Sequence, residues 1–490
     1  MNPGSPLRTR ATPFERWLRL RPLVAGLVLA FSASAPGADG DSSAHGRLAA
    51  AGRRHVAHFA HASSALASTV TYVVKTCDDP LPVPATCTET IDNNVHTVQT
   101  VRQGFSCAHN GDTIDLTKLT CSKITLSAPL VAGSNGINFG SLALDGPGQD
   151  KLTIDAGGLF RALVHNGGTY YGLYVNDLTI ANGRYDNPST YGGGGCIIST
   201  GNVFLSDSTV SSCYLSSSVH AYGGGIFGRT VSLYRSRVTG STAHGNGSGA
   251  ASGGGIYAYY LELNKSTVSG NTASYTGTGY AVGGGVSAYR ARVNNSTVSG
   301  NGAATAKAGV DAGYAYLFNS TVSGNHADHG PVGGVHAKFA AQIFNCTIAA
   351  NTGKGAFAAG LYGEFAASAK SIVQGTIIAN NSASGVPLDV GSEVGYSIAG
   401  SNNLIMSSQG GTRVPFDTIV DDPRLGPLQD NGGPTRTQAL LPGSPAIDRG
   451  KTVTGVAFDQ RGFARVVGAK PDIGAFEFDP DRIFDNGFNL

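Results

Sequence analysis

Four residues in the middle of the chain have the side-chain types that move protons: Asp311, His336, Lys338 and Glu364. A carboxylate, an imidazole and an amine within about 5–10 Å of one another could abstract a proton. A second set, Phe227, Tyr257, Tyr259 and Tyr289, has the ring types that lie flat against sugars and could form a stacking platform. Each set also has a plainer reading. The charged set reads as a solvated sheet face whose charges compensate, since nothing in the sequence marks a perturbed pKa. The aromatic set reads as outward rings that steady a sheet without a ligand. The plainer readings are preferred, so no residue is assigned as catalytic.

The sets meet in space only if the chain repeats, and it does. A Ser-Thr-Val-Ser-Gly-Asn block stands at 266–271, 296–301 and 320–325. Weaker copies begin at Ser208 and Ser236, and run over Cys346–Asn351 and Thr376–Asn380. The residue before the Val or Ile falls at 179, 209, 237, 267, 297, 321, 347 and 376, in steps of 24 to 30. In parallel, glycines precede Ile226, Ile256, Val286, Val310, Val335 and Leu361. Two residues after each of these stands Gly228, Ala258, Ala288, Ala312, Ala337 or Gly363, always tiny, while the intervening positions vary. That is a period of two, hence a strand with the aliphatic and the tiny residue facing inward. Val231/Leu233, Leu261/Leu263, Ala291/Val293 and Ala315/Leu317 continue the alternation, and the Thr-Val pair makes a third strand.

Three short strands per repeat without helical periodicity predict an all-β fold, a right-handed parallel β-helix. Matching residues then stack in columns at about 4.8 Å per turn. Glycines supply the corners. Asn271, Asn301, Asn325, Asn351 and Asn380 are expected to form an amide ladder. The outward columns run Phe227, Tyr257, Ser287, Asp311, His336, Tyr362 and Arg229, Tyr259, Tyr289, Gly313, Lys338, Glu364. Asp311 and His336 therefore fall on adjacent turns, with Lys338 and Glu364 beside them. Variable segments 241–252, 272–282 and 326–332 leave one corner as loops, the plausible contact edge. One of them carries His326, Asp328 and His329, read as an exposed polar turn rather than a metal site.

Composition agrees. Of 490 residues 70 are Gly, but without a three-residue period, which excludes collagen. Too little Leu, Glu and Lys remains for a coiled coil. A formal charge of +2 excludes a strongly basic nucleic-acid binder. Residues 1–35 read as a secretory signal: Arg8, Arg10, Arg16, Arg19 and Arg21, then the apolar run Leu23–Phe31, then Ala33-Ser34-Ala35. Residues 36–68 read as a flexible linker, in which His55, His58 and His61 are not taken as a metal site. No other segment reaches transmembrane length. Export favours disulfides, and proximity suggests Cys77–Cys87, Cys107–Cys121 and Cys196–Cys213, leaving Cys346 as a small buried residue. Residues 69–145 are expected to form an N-terminal cap and first turns, 146–400 the repeats, and 401–478 the closure of the other end, before a tail at 479–490.

Thr71-Tyr-Val-Val-Lys-Thr-Cys77, Leu144-Asp-Gly-Pro-Gly148 and Leu178-Thr-Ile-Ala-Asn-Gly183 resemble the N-terminal portion of bacterial exported β-helix proteins. The Gly-Gly-Gly-Ile and Ser-Gly-Asn blocks are loosely similar to those of polymorphic outer-membrane proteins. Asp430-Asn-Gly-Gly-Pro-Thr435, Ala439–Asp448, Asp459-Gln-Arg-Gly462 and Asp472-Ile-Gly-Ala-Phe-Glu477 resemble a choice-of-anchor Q domain. The resemblance implies a bacterial protein, secreted or on the outer cell surface, and implies no chemistry. Polysaccharide lyases and polygalacturonases share the fold, but fold does not grant activity. The Asn-Thr-Asp, Asp-Asp, Gly-His-Gly and Arg-Ile-Lys set of polygalacturonases does not stand in the repeats. Between 190 and 380 only Asp207, Glu262, Asp311, Asp328 and Glu364 are acidic, too few for a calcium-binding lyase centre. The expectation is a monomeric, non-catalytic surface or extracellular protein, adhesive or glycan-contacting, without cofactor, metal or nucleic-acid partner. A polysaccharide lyase or hydrolase is the alternative.

Overall fold

The computed structural model describes residues 69–481, apart from 83–86, 88–89, 93, 134–138, 188–190, 365–370, 394–396 and 453–454. The expected signal, the linker with its three histidines and the tail beyond Asp481 lie outside the described residues.

The fold is a right-handed parallel β-solenoid. Leu130, Leu163, Ile197, Ile226, Ile256, Val286, Val310, Val335, Leu361 and Val390 pair turn to turn in one column. Each is at most 1% exposed. Burying one such side chain stabilises by roughly 1.5–3 kcal/mol, so the column is a continuous driving force along the axis. The tiny residues two positions on pair in the same register and fill the narrow part of the interior. The Thr-Val strands form an eleven-stranded sheet from Lys123–Thr125 to Leu404–Ile405, with its own inward aliphatic column. Segments expected as loops are instead ordered strands. Thr242–Gly247 pairs with Thr272–Gly277, and Ala250–Ser252 with Ala281–Val282, because extended chains on adjacent turns can satisfy one another's backbone.

Two polar ladders hold the corners. Asn271, Asn301, Asn325 and Asn351 each donate a side-chain N–H to the next amide oxygen at 2.8–3.0 Å. The ladder then ends in Asn381 and Asp389, not Asn380. The last repeat is displaced by one: Ile377 pairs with Thr347, and Thr376 stands level with Cys346. Asn380 instead takes the left-handed corner (φ 57°) that Gly270, Gly300 and Gly324 take in earlier turns. The second ladder passes from the Ser208 amide to the Ser236 hydroxyl, and on through Ser266, Ser296 and Ser320. Cys346 occupies a rung of it, fully buried, with its thiol pushed up to about 12 by burial.

The N-terminal end is covered by the helix Val101–Cys107, capped by the Thr100 side chain. Arg102 of this helix makes a buried bidentate pair with Asp79 and donates to Ala128 O and Pro129 O. The disulfides are Cys77–Cys121, Cys87–Cys107 and Cys196–Cys213. The first two differ from the pairing that sequence proximity suggests. In a coil that returns over itself, residues a turn apart are neighbours, and the capping helix brings Cys107 to Cys87.

The C-terminal region only begins as a closure. After Leu404–Ile405 the chain turns back and lies along the outside of the Thr-Val sheet. Thr297 donates to Arg436 O and Asn319 to Phe458 O, while the Ala475 amide donates to the Thr347 hydroxyl. Ile377, Ala379 and Leu404 pack there against Leu440, Ala446, Ile473 and Phe476. The motifs of the C-terminal resemblance supply the clasp. Gln460 accepts from Thr321 at 2.6 Å and donates to Thr297 at 2.9 Å, and Arg461 pairs with buried Asp459 and stacks on Phe476. No helix among the described residues is long and apolar enough to cross a membrane.

Candidate functional site

The ladder register brings three of the four charged residues together. Asp311 and His336 are paired on adjacent turns, and Tyr362 follows. His336 Nδ1 lies 2.7 Å from Asp311 Oδ1, and its Nε2 lies 3.0 Å from Glu364 Oε1. Lys338 stands apart. Ala312 pairs with Ala337 but Tyr314 with Ala340, so Lys338 and Phe339 bulge opposite Gly313. The Lys338 ammonium sits over the Phe339 ring and reaches the carboxylates only as a more distant charge.

The cation in contact is Lys307, whose Nζ lies 3.8 Å from both Asp311 and Glu364. Sequence reasoning passed over it, although a signal was present. Lys307 stands three residues before Val310, where earlier turns carry Gly223, Gly253 and Gly283 at φ 64–71°. It keeps that left-handed conformation (φ 63°), which costs a non-glycine residue about 1–2 kcal/mol. Val332 repeats the departure on the next turn (φ 68°).

Burial works to raise the Asp311 pKa, but the Lys307 charge and the His336 hydrogen bond outweigh it and hold it down at about 2. Glu364 is held below its ordinary value first by its bond from His336. Both ring nitrogens of His336 face carboxylate oxygens, and both bonds form only when both nitrogens carry hydrogen. His336 as a whole is 1% exposed, so neither ring nitrogen is open to a substrate. The cluster is a closed electrostatic knot. It differs from the solvated face expected: Ser287, His336 and Tyr362 point away from the core yet are buried, Tyr362 in a small apolar cluster with Val332 and Ala358.

The aromatic residues also meet, with a geometry other than a flat platform. Phe227 and Tyr257 are parallel at 5.7 Å, and Tyr222 closes on Tyr257 at 4.5 Å. Burial, with Asp311 nearby, pushes the Tyr257 hydroxyl up to about 12. Tyr259 and Tyr289 stack at 4.7 Å and 17°. Stacking along the axis turns ring faces toward one another, away from a flat outward platform.

A further group lies on the second half of the long strands Ile256–Asn264, Val286–Asn294 and Val310–Phe318. Tyr260, Arg290 and Tyr314 pair in one outward column, and Glu262, Arg292 and Tyr316 in the next. The Arg290 guanidinium lies 5.7–5.8 Å from the Tyr260, Tyr314 and Tyr316 rings. Tyr260 is exposed and stands at 86° to Tyr259. Continuing the alternation outward from Leu261/Leu263 and Ala291/Val293 would have found these residues.

Elsewhere, a cleft of about 450 Å³ is lined by Leu159, Phe160, Arg161, Arg184 and Tyr185, with Arg161 already donating to Gly193 O and Gly194 O. His326, expected on a turn, is exposed on the short strand His326–Ala327, because it pairs with Gly302 and Thr352 on the adjacent turns; Asp328 and His329 follow on an exposed bend. Among the described residues no three His, Cys, Asp or Glu side chains are grouped to hold a metal.

No protein-family model matches the chain, and no curated protein matches it. The choice-of-anchor Q resemblance therefore stands on its motifs alone. Among solved structures, that of pectate lyase Pel9A aligns at 10% identity over 84% of this chain and 97% of that one, with a TM-score of 0.42. Likeness at this level says nothing of activity. The solenoid rests on the strand register itself.

Proposed function

We propose that this is an exported, non-catalytic protein that holds extracellular glycans on the outer face of its long-strand sheet. The observation that carries the non-catalytic reading is the closed Asp311–His336–Glu364 arrangement, in which the imidazole has both nitrogens engaged and is shielded from solvent. The adjoining face offers what glycan contact needs: partly exposed aromatic surface at Tyr259 and Tyr289, and the exposed Tyr260. Ordered strands at its edge keep that face fixed. Export is supported by the Arg-rich start and apolar run of residues 1–35, and by three disulfides, which suit an oxidising compartment. Placement on a bacterial surface follows from the choice-of-anchor resemblance.

The test is a polysaccharide panel run on the full chain for both binding and product formation. Binding without new reducing ends or unsaturated products, weakened by Tyr259→Ala with Tyr289→Ala, is the expected result. Product formation that vanishes in Asp311→Ala or Lys338→Ala would overturn the non-catalytic reading in favour of a lyase or hydrolase.

A further inference from the structure

We infer that the outer face carries an anion-recognition site, built from Arg290 and Arg292 among Tyr260, Tyr314 and Tyr316, that selects acidic saccharides over neutral ones. The inference rests on the glycan-contacting reading and gives it a substrate class.

Arg290 and Arg292 are two residues apart on one strand and share its outward face. That spacing puts them about 7 Å apart. A guanidinium has five N–H donors. Buried arginines elsewhere in the molecule spend theirs: Arg102 on Asp79 and two carbonyls, Arg461 on Asp459 and two carbonyls. Arg290 and Arg292 do not. Among the described residues neither forms an ion pair or donates a side-chain hydrogen bond, and the Nε of each is buried without a partner. Glu262 stands level with Arg292 in the preceding turn but closes no ion pair with it.

The rings explain how two uncompensated cations persist there. Tyrosine faces attract a guanidinium electrostatically without using its N–H groups. What remains is a pair of forks held among tyrosine rings. The fork geometry matches a carboxylate or a sulfate, taken bidentately, while the rings cover the apolar side of the sugar carrying it. A neutral saccharide offers only uncharged hydroxyl and ring oxygens, without the charge or the paired acceptor geometry of a carboxylate or sulfate.

The experiment measures affinity of the full chain for alginate (carboxylate), heparin (sulfate and carboxylate) and dextran (neutral) at low and high salt. Acidic polymers are expected to bind at least about tenfold more tightly than dextran, with affinity falling as salt rises. Preference for alginate assigns the carboxylate, and binding of heparin alone assigns the sulfate. Arg290→Gln with Arg292→Gln is expected to remove about tenfold or more of the acidic binding. Arg290→Lys with Arg292→Lys keeps the charge and is expected to retain part of it. Thermal melts of both variants establish that they fold. Equal, salt-insensitive affinity for all three polymers, unchanged in Arg290→Gln/Arg292→Gln, overturns this inference and leaves the glycan reading standing. Absence of binding to every polymer overturns both.

Discussion

Replacing Asn381 by Ala and, separately, Asn380 by Ala tests how the last repeat is threaded. Asn381 is fully buried. Its Oδ1 accepts from the Asn351 amide at 3.0 Å and from Asn351 Nδ2 at 2.8 Å. Its Nδ2 donates to Ile348 O at 2.9 Å, Ala379 O at 3.0 Å and Asp389 Oδ1 at 2.8 Å. Truncation leaves the Asn351 backbone N–H buried and unpaired, at about 1–3 kcal/mol, and also removes the side-chain bonds to Asn351 Nδ2 and Asp389 Oδ1, at about 0.5–1.5 kcal/mol or more each. A loss of roughly 3–6 kcal/mol is expected. Asn380 is exposed, and its Ala substitution only forces an alanine to hold φ 57°, about 1–2 kcal/mol. Urea unfolding gives the two totals. Because each turn contacts only its neighbours, amide hydrogen exchange at Asn351 localises the loss. Equal costs for the two variants, or a larger cost for Asn380→Ala, would refute the ladder as described.

Three further outcomes follow from the same contacts. Burial first, then the Asp472 charge, raises the Glu477 carboxyl from 4.5 to about 8. The folded form then holds a proton that the unfolded form has released, so stability is full below about pH 4.5 and declines as pH rises toward 8, by several kcal/mol at about 1.4 per pH unit. Melting curves across pH should show this decline and should flatten in Glu477→Gln; a stability independent of pH over that window would contradict the buried placement of Glu477. Asp311 has the opposite sign, and its contribution disappears as pH falls from about 3.8 toward 2. Gln460→Ala removes the bonds to Thr297 and Thr321 and should expose residues 421–478 to proteolysis before the solenoid unfolds, with no change expected if the clasp were incidental. Non-reducing peptide mapping should recover Cys77 joined to Cys121 and Cys87 joined to Cys107; a Cys77–Cys87 peptide would contradict the cap.

The inward columns were legible in the sequence because a period of two and a repeat of 24 to 30 residues leave one economical way to bury Ile226, Ile256, Val286, Val310, Val335 and Leu361 together. Adjacency of Asp311 and His336 followed from that register alone. Tertiary structure decided what register does not carry. Lys307 reaches the carboxylates because a corner position reserved for glycine elsewhere holds a lysine, and Lys338 leaves them because one extra residue bulges its turn. Ring orientation was likewise set by stacking along the axis, not by residue type. Cysteine pairing and the folding back of residues 421–478 join segments distant in the chain, through contacts that no local pattern encodes. Alternation reports which side of a strand a residue takes. It does not report what covers that side, and cover is what separates a buried ion cluster from an open binding face.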